Sequence, residues 1–454
     1  MSNKETKHLI QEGGFFMRPL FEKLNSEHIR YSVLRNYESL PNSTGGSDVD
    51  MWVHIDDLPK CEVILKTISK DIKMPLVSFY DAPSQYKVCY MGVSDGVQFD
   101  IFKGDIYWKN WIMFSGESIW ANTIDYNGVR VLNDEFADIM TIVKEIINTN
   151  NCRQKYIDKV YTTDVYTKQY LQNYLELFGD KFLSFFAKCL KGHTINENLS
   201  LLGQMSRQNL SRKKSLSKIR YKLSKLRRLF KKPGFTICVE GTDGSGKSFI
   251  IEHIEPMLNG AFHNHVTYNH LRPNVLPDIG ILLKKRVKDE NQTVTSNPHA
   301  NKPSGFVMSL IRLFYYLVDY TFGYMKSVMG QIYTRTHVFI FDRYYYDYYI
   351  DMRRAHMKLP SWIVRLFEVF VPKPDIILCL GGDPAKIYAR KPETSLEEVT
   401  RQTTVLKHFC DHRKNAFWID TTQAPEQSIN DAMKAILSVM SKRFENLEYT
   451  SPIK

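Results

Sequence analysis

Paired cysteines are missing from this sequence. Its seven cysteines (Cys61, Cys89, Cys152, Cys189, Cys238, Cys379 and Cys410) are odd in number and scattered, with no CxxC pair and no histidines at metal-ligand spacing. That argues against a disulfide framework or a zinc site and favours buried thiols in a reducing compartment. The opening residues MSNKETKHLIQEGG lack the apolar core of a signal peptide, and no run of about 18 uncharged apolar residues occurs anywhere. A cytoplasmic protein that does not span a membrane is therefore expected. No internal repeat is present, so the chain is not an array of one unit. Acid is absent from one long stretch: residues 211–232, SRKKSLSKIRYKLSKLRRLFKK, hold eleven Lys or Arg and no Asp or Glu, so eleven of the chain's twelve net positive charges sit there. The basic character belongs to that segment and does not mark the whole chain as a nucleic-acid binder. Leu216, Ile219, Leu223, Leu226 and Phe230 fall three or four apart and draw one apolar stripe on a helix that is cationic elsewhere. This reads as a linker helix docked on a neighbouring domain, with peripheral contact to an anionic membrane as the alternative and nucleic acid not expected.

What is present suits an ordinary folded protein of two or three domains: 454 residues, 43% hydrophobic and 24% charged. Three regions are expected. Residues 1–135 mix short β-rich runs (YSVLR, VDMWVHI, GVQFDIF, GVRVL) with Gly, Asn and Asp turns, as a small α/β unit would. Residues 136–232 read as helical, from FADIMTIVKEIINTN through VYTKQYLQNYLELFGDKFLSFFAKCL to the basic segment. In residues 233–454, the runs FTICVE, HVFIFD, PDIILCLG and NAFWID alternate with helical stretches, which predicts a mostly parallel sheet with helices on both faces. The polar stretch 288–305 reads as a loop.

The strongest chemical signal is FTICVEGTDGSGKSFII, residues 235–251. Gly241, Gly246, Lys247 and Ser248 satisfy GxxxxGK[ST] between an apolar strand and an apolar-periodic helix carrying Ile250, Ile251, Ile254 and Leu258, with Pro256 expected to kink or end that helix early. In such a loop the backbone wraps phosphate oxygens, Lys247 reaches the β and γ oxygens of ATP, and the Ser248 hydroxyl holds Mg²⁺. The grip comprises Gly241, Thr242, Asp243, Gly244, Ser245, Gly246, Lys247, Ser248 and Phe249.

EGTDGSGKS resembles the phosphate-binding loop of thymidylate kinases, within the P-loop nucleoside and nucleotide kinases. FIFDRY, with Asp342 and Arg343, is similar to that family's DR[YF] motif, and PDIILCLGGDPAKIYARKPE to its late strand and basic lid with Arg390 and Lys391. The resemblance covers about residues 234–440. It implies a P-loop NTPase fold, Asp342 orienting Mg²⁺, Arg343 clamping the transferring phosphoryl group, Asp243 facing the acceptor's sugar, and Arg390 and Lys391 closing over the phosphates.

The acceptor side departs from that pattern. Thymidylate kinases carry an arginine about twenty residues before DR[YF]; here no Arg lies between Leu313 and Thr334, and Asp319 stands near the place. In place of the family's following serine and AYQG stand Asp347, Asp351, Arg353 and Arg354 in DRYYYDYYIDMRRAHMKLP. Arg272 in HLRP resembles the family's acceptor-phosphate arginine. A sugar, polyol, sugar phosphate or nucleotide acceptor suits paired acids and arginines. The arrangement looks most like thymidylate kinase-like proteins of surface-polysaccharide metabolism. A dTMP kinase with an appended domain, and a nucleotide-binding regulatory switch with an inactive front half, are the competing readings; the oligomeric state is open, a homodimer included.

In the first region GGSDVDMWV places Asp48 and Asp50 two apart on an extended segment, hence on one face, and VQFDIF supplies Asp100. Three such carboxylates can bridge Mg²⁺ ions. This resembles the polymerase β-type nucleotidyltransferases over about residues 25–140, although the family's Gly-Ser pair is replaced by Leu34, Arg35 and Asn36. Asp56 and Asp57 read as turn acids.

Overall fold

The computed structural model describes residues 14–82, 84–161, 167–210, 226, 231–263, 265–277 and 303–447. Apart from Leu226, the apolar stripe expected within 211–232 lies outside the described residues, as does most of the 288–305 loop. Among the described residues no helix is long and apolar enough to cross a membrane. All seven cysteines are buried as free thiols.

The front of the chain builds a seven-stranded mixed sheet in the order β3-β4-β5-β2-β1-β9-β8. Its strands are β1 (Tyr31–Val33), β2 (Val49–Val53), β3 (Leu76–Asp81), β4 (Gln85–Met91), β5 (Gly96–Lys103), β8 (Thr123–Tyr126) and β9 (Val129–Leu132); β6 (Ile106–Trp108) and β7 (Trp111–Phe114) form a separate hairpin. Period-two alternation divides the side chains between the faces. Met51, Val53, Val88, Tyr90, Phe99 and Ile101 point to α1 (Gly14–Ser26) and α2 (Leu58–Asp71). On the opposite face Trp52 and Phe102 join the core of the helical region: α3 (Asp134–Thr149), α4 (Asp180–Lys191) and α5 (Ile195–Leu210). The Asn133 side chain caps α3 by accepting from Phe136 N at 2.9 Å, and Asn150 ends it in the left-handed conformation. The helical run expected over 165–190 is broken instead, because Gly179 turns at φ +77° between a 3₁₀ turn at Glu176–Phe178 and α4.

The rear sheet is five-stranded and wholly parallel, ordered β11-β12-β10-β13-β14. Its strands are β10 (Phe235–Gly241), β11 (Val266–His270), β12 (Val338–Asp342), β13 (Ile376–Gly381) and β14 (Ala416–Asp420). β10, β12 and β13 are buried along their whole length, as strands covered on both faces must be. α6 (Lys247–Phe262) lies on one face; Pro256 does not end it, and the helix continues to Phe262. The opposite face carries a continuous helical stretch that starts as α7 (Phe306–Val318), passes through π-helical turns at Asp319–Gly323 and Met325–Met329, and closes at Gly330–Thr334. α8 (Ser361–Phe367) follows it, then α9 (Pro384–Arg390) beyond β13, and α10 (Leu396–Asp411) on the same face as α7. α11 (Pro425–Phe444) joins α6. α6 and α11 are sandwiched: their core includes Ile237 and Val239 of the rear sheet and Val77, Cys89 and Met91 of the front sheet. The architecture is mixed α/β, with a parallel sheet flanked by helices.

Candidate functional site

β10 leads into the 241–248 loop and α6 leads away, so the loop lies at the carboxyl ends of parallel strands, where such sheets expose a crevice. Gly241 has no room for a side chain: a Cβ would lie 2.4 Å from Ser245 Oγ and 3.0 Å from the Leu380 carbonyl. Gly246, just before α6, sits at φ +81°, a conformation costly to other residues. Lys247 Nζ is buried and donates to the carbonyls of Gly241 at 3.0 Å and Thr242 at 2.9 Å. Burial and the neighbouring Arg343 outweigh Asp243 and Asp342 and lower its pKa to about 7. Among the described residues, Thr242 Oγ1, Ser245 Oγ and Asp342 Oδ1 are buried without a hydrogen-bond partner. Ser248 and Phe249 are exposed. Beside the loop, Gly246, Phe249, Arg390, Thr421, Pro425 and Ser428 line a cleft of about 300 Å³.

The register of β10 with β12 sets Asp342 opposite Val239, near the start of the loop. Asp342 Oδ2 accepts from Tyr268 Oη at 3.0 Å and lies 3.5 Å from His270 Nδ1. Burial opposes its ionisation, but the His270 hydrogen bond, Lys247 and Arg343 bring its pKa down to about 2. An ionised, buried carboxylate oxygen without a partner suits a hard divalent cation, so Asp342 fits a ligand of Mg²⁺. Arg343 occupies φ +69°, rare for a side chain of its size. That turn aims its guanidinium back across the loop: Nη1 donates to the Gly241 carbonyl at 2.9 Å and to Asp347 Oδ1 at 2.7 Å, and Nη2 to Asp243 Oδ1 at 2.8 Å.

Arg354 binds the other oxygen of Asp243 and lies 3.8 Å from Asp347 and 3.6 Å from Asp351. The structure thus brings Asp243, Arg343, Asp347, Asp351 and Arg354 into one network, with Arg343, Asp347 and Asp351 buried and Asp243 and Arg354 half-buried. Burial alone would raise the Asp243 pKa, yet Arg343, Arg354 and Lys247 hold it well below the usual carboxylate range. Arg353 is exposed and stands apart from these pairs. Asp319 also stands apart. It is fully buried, accepting from Arg272 Nη1 at 3.0 Å and from the backbone amides of Asn274, Val275 and Leu276 at 3.0–3.1 Å, so both its oxygens are engaged and it braces Arg272. Arg390 Nη2 donates to the Thr421 carbonyl at 2.8 Å, while Lys391 is exposed and pairs with Glu393 at 3.0 Å.

Sequence reasoning missed Glu240, Tyr268 and His270. Glu240 is fully buried, its Oε1 accepting from Tyr344 N at 2.8 Å, and burial together with Asp347 pushes its pKa up to about 8. An acid closing the otherwise apolar run FTICV was the available signal.

In the front sheet, β2 pairs in parallel with β5, Asp50 opposite Asp100, and one carboxylate oxygen from each of Asp48, Asp50 and Asp100 lies within 4.8 Å of the others. Three hard oxygens at that spacing fit a divalent cation such as Mg²⁺. Each already faces a protein base: Arg35 Nε binds Asp50, Lys87 Nζ binds Asp100 at 2.6 Å, and His263 Nε2, just past α6, lies 3.6 Å from Asp48. Burial pushes Asp100 up to about 6 against the pull of Lys87. A cavity of about 400 Å³ opens beside Asp50, with Arg35, Thr141, Lys144, Asn148 and Arg153 in its wall. Lys87, Lys144 and His263 carried no signal in the sequence; topology alone brings them to the acids.

No family model matches the chain, and no curated protein matches it. Among solved structures, a thymidylate kinase from Ehrlichia chaffeensis is similar over 44% of this chain and 97% of its own, with 15% identity and a TM-score of 0.30.

Proposed function

We propose that the chain is an ATP-dependent phosphotransferase, with the 241–248 loop holding the nucleotide and the acceptor a phosphate monoester such as a sugar phosphate or nucleoside monophosphate. One observation carries this reading: the buried Lys247 ammonium, folded over a strand-loop-helix turn beside Arg343 and Asp342. Mg²⁺ held through Ser248 and Asp342 would neutralise charge on the phosphate chain. The cleft beside Arg390 and Thr421 is of a size to receive the nucleoside. Arg343 would stabilise negative charge on the group in transit.

The low basicity of Asp243 and Asp342 favours a phosphate acceptor. Asp243 is held ionised by two arginines and Asp342 has a pKa of about 2, so both are poor proton acceptors at neutral pH. An acceptor phosphate needs no base. Its oxygen forms the bond to the γ phosphorus, the bond to the β–γ bridging oxygen breaks, and ADP leaves with that electron pair. Arg272, braced by Asp319, supplies a charge suited to the acceptor's phosphate. ATP consumption screened across sugar phosphates, nucleoside monophosphates including dTMP, free sugars and polyols tests this. A phosphorylated acceptor should accelerate turnover, and Lys247→Ala should abolish the acceleration by about a thousandfold or more. ATP loss that no acceptor accelerates, or that survives Lys247→Ala, would point to a switch or a contaminant. Acceleration only by free hydroxyl acceptors would overturn the acceptor class alone.

A second activity, nucleotidyl transfer, is proposed for the front unit because Asp48, Asp50 and Asp100 share one small volume. The two steps would be chemically sequential, since a phosphoryl transfer creates the group that a nucleotidyl transfer consumes. Manganese binding to the full chain, followed by electron paramagnetic resonance, should show a site that Asp48→Asn weakens at least tenfold. Equal binding in the variant would leave the three acids as a charge-paired scaffold.

A further inference from the structure

We infer that the Lys87 ammonium fills the place of one of the two cations that a nucleotidyl-transfer site would otherwise hold, so that the front carboxylates take a single divalent ion. The inference rests on the nucleotidyl transfer proposed above and concerns how that site is charged. Three adjacent strands set the groups in a row: β4 pairs with β5, Lys87 opposite Asp100, and β5 pairs with β2, Asp100 opposite Asp50. Directly opposed residues of neighbouring strands share one face of a sheet. Arg35, two residues beyond β1, closes the other end of the row by donating to Asp50 Oδ2. The two central acids are thus flanked by two cations that belong to the chain, and Asp48 immediately precedes β2.

Each oxygen of Asp100 already has a donor: Lys87 Nζ lies 2.6 Å from Oδ2, and Gln98 Nε2 donates to Oδ1 at 3.1 Å. A divalent ion coordinated at about 2.1 Å to Oδ2 would sit no more than about 4.7 Å from the ammonium, and like charges that close repel strongly away from bulk water. Asp50 Oδ1 and Asp48 Oδ2, by contrast, have no protein donor among the described residues. Asp48 and Asp50 offer oxygens within 4.8 Å of each other, the spacing of two ligands of one ion. In a site with two ions, one serves the attacking oxygen and the other the leaving oxygen. An ammonium committed to Asp100 supplies charge but does not coordinate an attacking hydroxyl. A phosphorylated acceptor, of the kind a phosphoryl transfer makes, needs no such activation. Its terminal phosphate oxygen forms the bond to the α phosphorus of a nucleoside triphosphate, the bond to the α–β bridging oxygen breaks, and pyrophosphate leaves with that electron pair. Lys144, half-buried in the wall of the cavity beside Asp50 and without an ion pair among the described residues, adds charge for such anions.

Manganese titration of the full chain, read by electron paramagnetic resonance, tests this, because two ions about 3.5–4 Å apart give a spin-coupled spectrum and ions at opposite ends of α6 do not. The wild type should show only uncoupled manganese, one ion of which Asp48→Asn removes. Lys87→Met takes away the ammonium and keeps most of the stem, so it should admit a second ion at the front site and a spin-coupled signal. Lys87→Arg, which keeps the charge, should behave as the wild type. Lys87→Gln, which can still donate to Asp100 without a charge, repeats the test should methionine disturb the fold. A spin-coupled pair in the wild type overturns the inference and leaves nucleotidyl transfer standing on an ordinary two-ion site. So does a Lys87→Met protein with unaltered circular dichroism that binds a single front ion. Should neither the wild type nor Lys87→Met bind any manganese that depends on Asp48, the inference and the proposed nucleotidyl transfer fall together.

Discussion

Glu240 shows how a single residue can carry a measurable pH signature without touching a ligand. It ends β10 as a buried acid whose Oε2 has no hydrogen-bond partner among the described residues, and its pKa is pushed up from 4.5 to about 8. Folding therefore takes up a proton between those values, so Glu240 favours the fold most below pH 4.5 and progressively less as pH rises through 8. Each pH unit within that window costs at most about 1.4 kcal/mol. Glu240→Gln removes the titration and keeps an oxygen to accept from Tyr344 N. Its melting temperature should exceed that of the wild type by a margin that widens between pH 5 and pH 8; a constant margin would mean that Glu240 is ionised throughout. Residues of this kind escape sequence reading because burial and the approach of Asp347 create their chemistry. Lys247, Asp342 and Arg343 could be singled out in advance because they stand in short, ordered motifs. Lys87, Lys144 and His263 meet the front acids only through topology. Asp319 was read from its position near a family arginine, and its engagement with three backbone amides appears only once the 272–276 turn is folded against it.

At the scale of elements, a strand could be read wherever burial leaves a continuous or strictly alternating apolar run. FTICVE, HVFIFD, PDIILCLG and NAFWID all became strands of the parallel sheet, as did the four β-rich runs of the front sheet. β11 is half polar, ValThrTyrAsnHis at a sheet edge, and local pattern alone gives it little strand character. β3 and β4 are edge and next-to-edge strands whose outer residues meet α6 and α11, helices more than 150 residues away in the chain. Proline misled for a related reason. Pro256 removes one helical hydrogen bond, a cost of about 3 kcal/mol in an isolated helix. Here Ile250, Ile251, Ile254 and Leu258 before and after it are buried between two sheets, and that packing holds α6 in register through the proline. Helix 306–334 errs in the other direction: its pattern is apolar almost all round, and only the fold separates the side that faces the sheet from the side left exposed.

For the whole molecule, α6 is the member that ties the two candidate sites together. Its first residue is Lys247, and the residue after its last turn, His263, faces Asp48, so about 24 Å of helix separates the 241–248 loop from the front carboxylates. Near its end the helix backbone lies directly against β5: a Cβ on Gly96 would fall 2.7 Å from both the Ala261 nitrogen and its Cβ. The front sheet and the rear sheet therefore share one apolar core through α6 and α11, with Ser78 Oγ also donating to the Pro233 carbonyl at 2.7 Å. A side chain at Gly96 cannot be absorbed by a rotamer change, since the obstacle is backbone. Gly96→Val should cost about 1–3 kcal/mol, and because the core is shared, calorimetry should show the front and rear units losing stability together. It should also weaken manganese binding at Asp48 and ATP binding at Lys247 in parallel, because both ends of α6 move with it. A scan in which only the front unit melts earlier, with ATP affinity unchanged, would show that the two sheets are independent bodies that merely touch, and that the 241–248 loop owes nothing to the carboxylates at the far end of its helix.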